Sequence, residues 1–99
     1  FGIEYDDTDS FVERLSGFSG IRVKGLMTIA PYYDDAELAR PVFRQLKEKF
    51  DMLAAAGIPN VNMKYLSMGM TNDYKVAIEE GSNMVRIGTG IFGARNYDL

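Results

Sequence analysis

Leu66-Ser67-Met68-Gly69-Met70-Thr71 and Met84-Val85-Arg86-Ile87-Gly88-Thr89-Gly90-Ile91-Phe92-Gly93 decide how this chain is read. Each is an apolar run of β type that stops at a small or hydroxyl residue and turns toward a helix. Such strand ends are expected to offer backbone N–H groups, the donors that an anionic phosphate needs in a chain without histidine. In the first stretch Ser67 supplies a hydroxyl, followed by the Met68 and Gly69 amides. In the second, Gly88 permits close backbone approach and Thr89 offers both an amide and a hydroxyl. Alone, the first stretch reads equally well as a plain N-terminal turn. Two of them on neighbouring strands, at the carboxyl end of a β/α barrel, form the usual phosphate site of that architecture.

Working outward, helix and strand periods take turns along the chain. Thr8 or Asp7 can cap a short helix with Phe11, Val12 and Leu15 on one face, and Gly17 and Gly20 mark its end. Residues 21–29 alternate as a strand until Ala30-Pro31 stops the run. Asp34 and Glu37 have capping-box spacing ahead of a long amphipathic helix carrying Ala39, Val42, Phe43, Leu46, Phe50, Leu53 and Ala54, which Gly57 and Pro59 close. A second strand over residues 61–67 leads to a helix capped by Thr71, with Asp73 near its positive end and Tyr74, Ala77 and Ile78 inward. Gly81 closes that helix, and residues 84–87 form the third strand. This order predicts parallel pairing through crossover helices. Helices on one side only would leave a sheet face and both edges uncovered. The 99 residues are therefore expected to be one partial domain of a larger barrel; the alternative is a small complete domain that dimerises to cover itself.

Composition narrows the function. A net charge of −3 and a pI near 4.8 argue against a nucleic-acid surface, which needs clustered Lys and Arg. With neither cysteine nor histidine, disulfides and the usual zinc sites are excluded. No apolar stretch approaches the ~20 residues that cross a bilayer, and the N-terminus lacks a basic signal-peptide region. The expected location is cytoplasmic, with no membrane or nucleic-acid partner and no metal.

Gly88-Thr89-Gly90-Ile91-Phe92-Gly93 also reads as G-x-G-x-x-G. A dinucleotide fold needs a further helix, a strand and an acidic residue ~20 positions on, and only six residues follow Gly93. That reading is set aside. Arg86 lies two positions before Gly88 and shares its strand face, and a guanidinium in so apolar a run should have a definite acceptor. The acceptor is either a barrel carboxylate or a ring nitrogen of a phosphate-bearing cofactor.

Three motifs, Gly25-Leu26-Met27-Thr28-Ile29-Ala30-Pro31, Leu66 through Asp73, and Ala77-Ile78-x-x-Gly81-Ser82-x-Met84 through Arg95, closely resemble the pyridoxal-phosphate homeostasis protein family. Its members look like the barrel domain of alanine racemase standing alone, of fold type III. The resemblance covers nearly the whole chain. It implies an α/β fold made of the C-terminal three β/α units of a TIM-like (β/α)8 barrel, and pyridoxal 5′-phosphate as cofactor. By the same resemblance, Ser67, Gly88 and Thr89, with the Met68 and Gly69 amides, hold the cofactor phosphate, and Arg86 faces the pyridine nitrogen. Gly90 departs from the family, where Ala is commoner. The family's Schiff-base lysine belongs to an early barrel strand that is expected to lie outside this chain.

None of the five lysines present is a convincing replacement. Lys47, Lys49 and Lys75 fall on helices and are expected to be solvated outside the barrel. Lys24 is five residues, roughly 17 Å, below the strand end. Lys64 has the wrong parity to share a face with Ser67. Because arginine is permanently charged, it leaves a facing pyridine nitrogen unprotonated and the ring a weak electron sink. The expected function is a non-catalytic carrier or buffer in intracellular pyridoxal-phosphate homeostasis, this chain supplying the phosphate and ring-nitrogen half of the site. Its partner would be the missing N-terminal part of the barrel or a second copy of the chain. The alternative is a fragment of a fold-type-III racemase or decarboxylase, which would need a tyrosine base from a second domain.

Overall fold

The computed structural model describes residues 2–88. Within them lie α1 (Thr8–Leu15), β1 (Val23–Met27), α2 (Arg40–Ala55), β2 (Val61–Met70), α3 (Tyr74–Glu79) and β3 (Met84–Arg86), with 3-10 turns at Tyr5–Asp7 and Ala36–Ala39 leading into the first two helices. The strands form one parallel sheet in the order β1-β2-β3. This is the α/β alternation that the sequence predicts.

Register explains how the sheet acquires two unlike faces. Leu26 pairs with Leu66, while Met27 pairs with Ser67 and Ser67 with Met84. Successive strand residues point to opposite faces, so the leucines share one face and Met27, Ser67 and Met84 the other. On the first face Ala39, Phe43, Leu66, Met68, Val76 and Ala77 make a single buried cluster beneath α2 and α3. The second face is bare among the described residues: Met27 is 63% exposed and Met84 45%. Helices thus cover one side only, as a segment of a barrel wall requires.

Several local expectations are corrected. The long helix is entered through Asp35, not Asp34: Asp35 Oδ1 accepts from the Glu37 amide at 3.0 Å, because the chain first makes a 3-10 turn before α2 starts at Arg40. Glu37 is then free to pair with Arg40 at 2.8 Å instead of closing a capping box. β1 is shorter than residues 21–29, and β3 ends one residue early. β2 does not stop at Ser67 but runs to Met70 through an irregularity, the four residues Ser67 to Met70 opposing the three from Met84 to Arg86. Thr71 does not cap α3, whose N-cap position is Asp73. Ala77 is in the core as expected, but it is joined there by Val76 and not by Ile78, which is 52% exposed.

Lys49 is not solvated as expected. It is 7% exposed, with Nζ 3.0 Å from Asp9 and 4.6 Å from the Tyr5 ring centroid. Seven residues after Val42, it lies on the inward stripe of α2, and α1 with its preceding turn supplies the carboxylate and ring that make its burial tolerable.

α2 and α3 are also tied by charge. Arg40 reaches Glu79 and Glu80 at 2.6 Å each, and Arg44 reaches Glu80 at 3.1 Å. Arg44 and then Arg40 hold the Glu80 carboxyl below its ordinary value of 4.5, and Arg40 does the same for Glu37. A carboxyl with a lower pKa folded than unfolded adds stability that is complete above the unfolded value and fades as pH falls through the folded one. Thermal unfolding followed from neutral pH to below 4.5 should therefore lose stability more steeply in the wild-type chain than in Glu80→Gln. Parallel acid profiles would contradict the tie.

Candidate functional site

The site is built at the carboxyl ends of β1, β2 and β3, on the bare face. Ser67 sits mid-row between Met27 and Met84, is 9% exposed, and its hydroxyl makes no side-chain hydrogen bond among the described residues. Behind it, Leu66 and Met68 are buried in the helix-side core, 1% and 0% exposed. Alternation along one strand thus anchors the backbone on one side and offers the hydroxyl on the other.

Gly69 occupies the irregular stretch with φ +106°. A Cβ built there would lie 2.8 Å from Ala77 Cβ and 3.3 Å from Val85 Cγ1. Its first role is therefore to let α3 pack onto the sheet, which adds a reason for glycine that sequence alone did not supply. The next amide, that of Met70, is taken by Asp73 Oδ1 at 2.8 Å. Gly88 is different: it lies outside the left-handed region and a Cβ there meets nothing within 4 Å among the described residues. Thr89, with the remainder of the glycine pattern, lies outside the described residues.

Arg86 makes the longest reach in the site. From β3 it crosses β2 to β1, where Nη1 is 2.9 Å from Met27 Sδ and Nη2 donates to the Thr28 carbonyl at 2.9 Å. No carboxylate among the described residues pairs with it. Of a guanidinium's five N–H donors, these contacts use two. Nε is buried and has no partner among the described residues. The structure therefore brings Ser67 and Arg86 to one face, with Gly88 two residues beyond Arg86, and keeps the Met68 side chain on the other.

Sequence reasoning missed the residues that hold this arrangement. Asn83 accepts from the Leu66 amide and donates to the Lys64 carbonyl, both at 2.8 Å, standing in for a strand partner. Ser82 Oγ lies 2.7 Å from the Met68 carbonyl. A Ser-Asn pair directly before a strand is a readable signal for such a staple. Met27 and Thr28, the anchors of Arg86, carried no such signal, because the contact joins strands 59 and 58 residues apart.

A family model described as the alanine racemase N-terminal domain matches residues 1–96. The chain belongs to this family. Among its relatives, the pyridoxal phosphate homeostasis protein of Aquifex aeolicus is 45% identical over 96 residues, covering 97% of this chain and 41% of the relative. The protein of the same name from Haemophilus influenzae is 40% identical, covering 97% and 40%. This chain thus spans about two-fifths of the curated relatives it matches. Among solved structures, PipY of Synechococcus elongatus with PLP bound matches with a TM-score of 0.80 and 32% identity, over 93% of this chain and 43% of that one. A protein of unknown function from Bifidobacterium adolescentis matches with a TM-score of 0.85 and 37% identity, over 92% and 36%. The resemblance read from the three motifs is borne out, and the alanine racemase-like fold with it.

The two glycines separate packing from ligand space by experiment. Gly69→Ala should cost about 1–3 kcal/mol in urea unfolding, since a Cβ at positive φ would press on Ala77. Gly88→Ala should stay within about 0.5 kcal/mol of wild type. Equal losses would contradict this assignment.

Proposed function

We propose that this chain forms the phosphate- and ring-nitrogen-binding part of a pyridoxal 5′-phosphate site in a non-catalytic protein of intracellular pyridoxal-phosphate homeostasis. The observation that carries the reading is Arg86, an arginine fixed across the bare sheet face with no carboxylate partner among the described residues and three N–H donors unspent. The names of the Aquifex and Haemophilus relatives and the PLP bound to PipY support the choice of cofactor.

The residues present fit that group. Ser67 contributes a nearly buried, unbonded hydroxyl, and Gly88 leaves space among the described residues that a phosphate oxygen can enter. The Met68 and Gly69 amides and Thr89 complete the phosphate side of the proposed site. Arg86 faces the ring nitrogen and, carrying a proton it does not give up, donates a hydrogen bond there instead of transferring charge. Pyridoxal phosphate, when bound, supplies an aldehyde that condenses with amines and a ring whose electron-withdrawing power rises on protonation of its nitrogen. An arginine at that nitrogen keeps the power low, which suits holding the cofactor more than using it. The relatives' names, which describe homeostasis and not a reaction, agree with this. The lysine that bonds the cofactor belongs, on this reading, to the earlier strands of the barrel. Those strands, or a second copy of the chain, cover the bare face, and the present residues are the C-terminal part of that barrel.

Titration of the full-length native protein with pyridoxal phosphate, followed by absorbance, tests this directly. Arg86→Leu should weaken binding roughly ten- to a hundredfold, the range of a hydrogen bond to a charged group, and neither protein should racemise alanine. Unchanged affinity in Arg86→Leu, or amino-acid turnover by the wild type, would overturn the reading.

A further inference from the structure

We infer that Met27 is the positioning residue for Arg86: its thioether, beside the Thr28 carbonyl, holds the guanidinium across the sheet so that the unspent donors are kept for the ligand. This rests on the reading of Arg86 just given and extends it to a residue on another strand. Arg86 Nη1 and Nη2 meet two acceptors on consecutive residues of one chain segment, Met27 Sδ and Thr28 O, each at 2.9 Å. Two different nitrogens tied to two neighbouring atoms fix the plane of the guanidinium as well as its place. A long arginine held at one point would keep much of its rotamer freedom and lose it only on binding.

The chemistry of the acceptor matters as much as its position. A carboxylate at residue 27 would engage the fork bidentately and consume donors that the ligand needs. A thioether is a weak, uncharged acceptor that takes a single N–H and leaves the guanidinium's charge uncompensated. Packing among the described residues does not account for Met27, which is 63% exposed there, whereas Met68, the methionine of the core, is fully buried. Its contact with Arg86 is the feature that distinguishes it from an exposed apolar side chain.

The test uses the full-length native protein, its Met27→Leu, Met27→Gln and Arg86→Leu variants, and two probes: pyridoxal phosphate and the analogue whose ring nitrogen is replaced by C–H. Leucine keeps the volume and removes the acceptor; glutamine restores one. Met27→Leu should weaken pyridoxal phosphate about two- to tenfold, the worth of a modest hydrogen bond, leave the C–H analogue unchanged, and be recovered by Met27→Gln. Combined with Arg86→Leu, it should have no further effect, since the two residues act through one contact. Met27→Leu weakening both probes equally, or neither, while Arg86→Leu still weakens pyridoxal phosphate and spares the C–H analogue, would overturn this inference and leave the function standing. A wild type that fails to bind pyridoxal phosphate, or an Arg86→Leu variant that binds it normally, would overturn both.

Discussion

β2 is buried on one face and open on the other, and every other element is placed by that constraint. Leu66 and Met68 drive into the cluster with Phe43 and Ala77, while Ser67 between them keeps a hydroxyl on the bare face. Burying such side chains is worth roughly 1.5–3 kcal/mol each, enough to fix the strand's register against α2 and α3. A one-residue slip would exchange the two sets of side chains and lose both the core and the hydroxyl. The Asn83 bridge to Leu66 and Lys64 and the Ser82 contact to Met68 pin the same strand from its β3 side.

The site follows from what that constraint leaves over. Extending β2 through the irregularity to Met70 brings its end level with Arg86. Within the three strands of the described residues, Arg86 on β3 reaches across β2 to anchors on and just past β1. Gly69 and the Met70 amide are both committed to structure, the first to the close approach of α3 and the second to Asp73. At this end of the sheet, Ser67 and the remaining Arg86 donors are uncommitted among the described residues. They lie on the face that the helices do not cover.

Much of this was legible in the sequence. The apolar periods of α2 and the strands gave element type and order, and the odd or even spacing of Ser67 and Lys64 gave their faces. Family motifs singled out Arg86 and Ser67. Boundaries were harder, since the Asp35 turn and the extension of β2 depend on tertiary pairing that no local pattern announces. Lys49 was misjudged because a charge on an inward stripe was read by residue type, when the partners that make it tolerable, Asp9 and Tyr5, lie about 40 positions away. Ile78 was misjudged as well: the buried stripe of this short helix runs through Val76 and Ala77, and Ile78 is 52% exposed beside it.

On the proposed function, Arg86 would meet the cofactor's ring as a hydrogen-bond donor that gives up no proton. Nitrogen-15 NMR of pyridoxal phosphate labelled at the ring nitrogen and bound to the full-length native protein reads this directly. The expected result is the chemical shift of an unprotonated, hydrogen-bonded pyridine nitrogen, moving toward the free, unbonded value in Arg86→Leu. A pyridinium shift in the wild type, or one indifferent to the loss of Arg86, would contradict it.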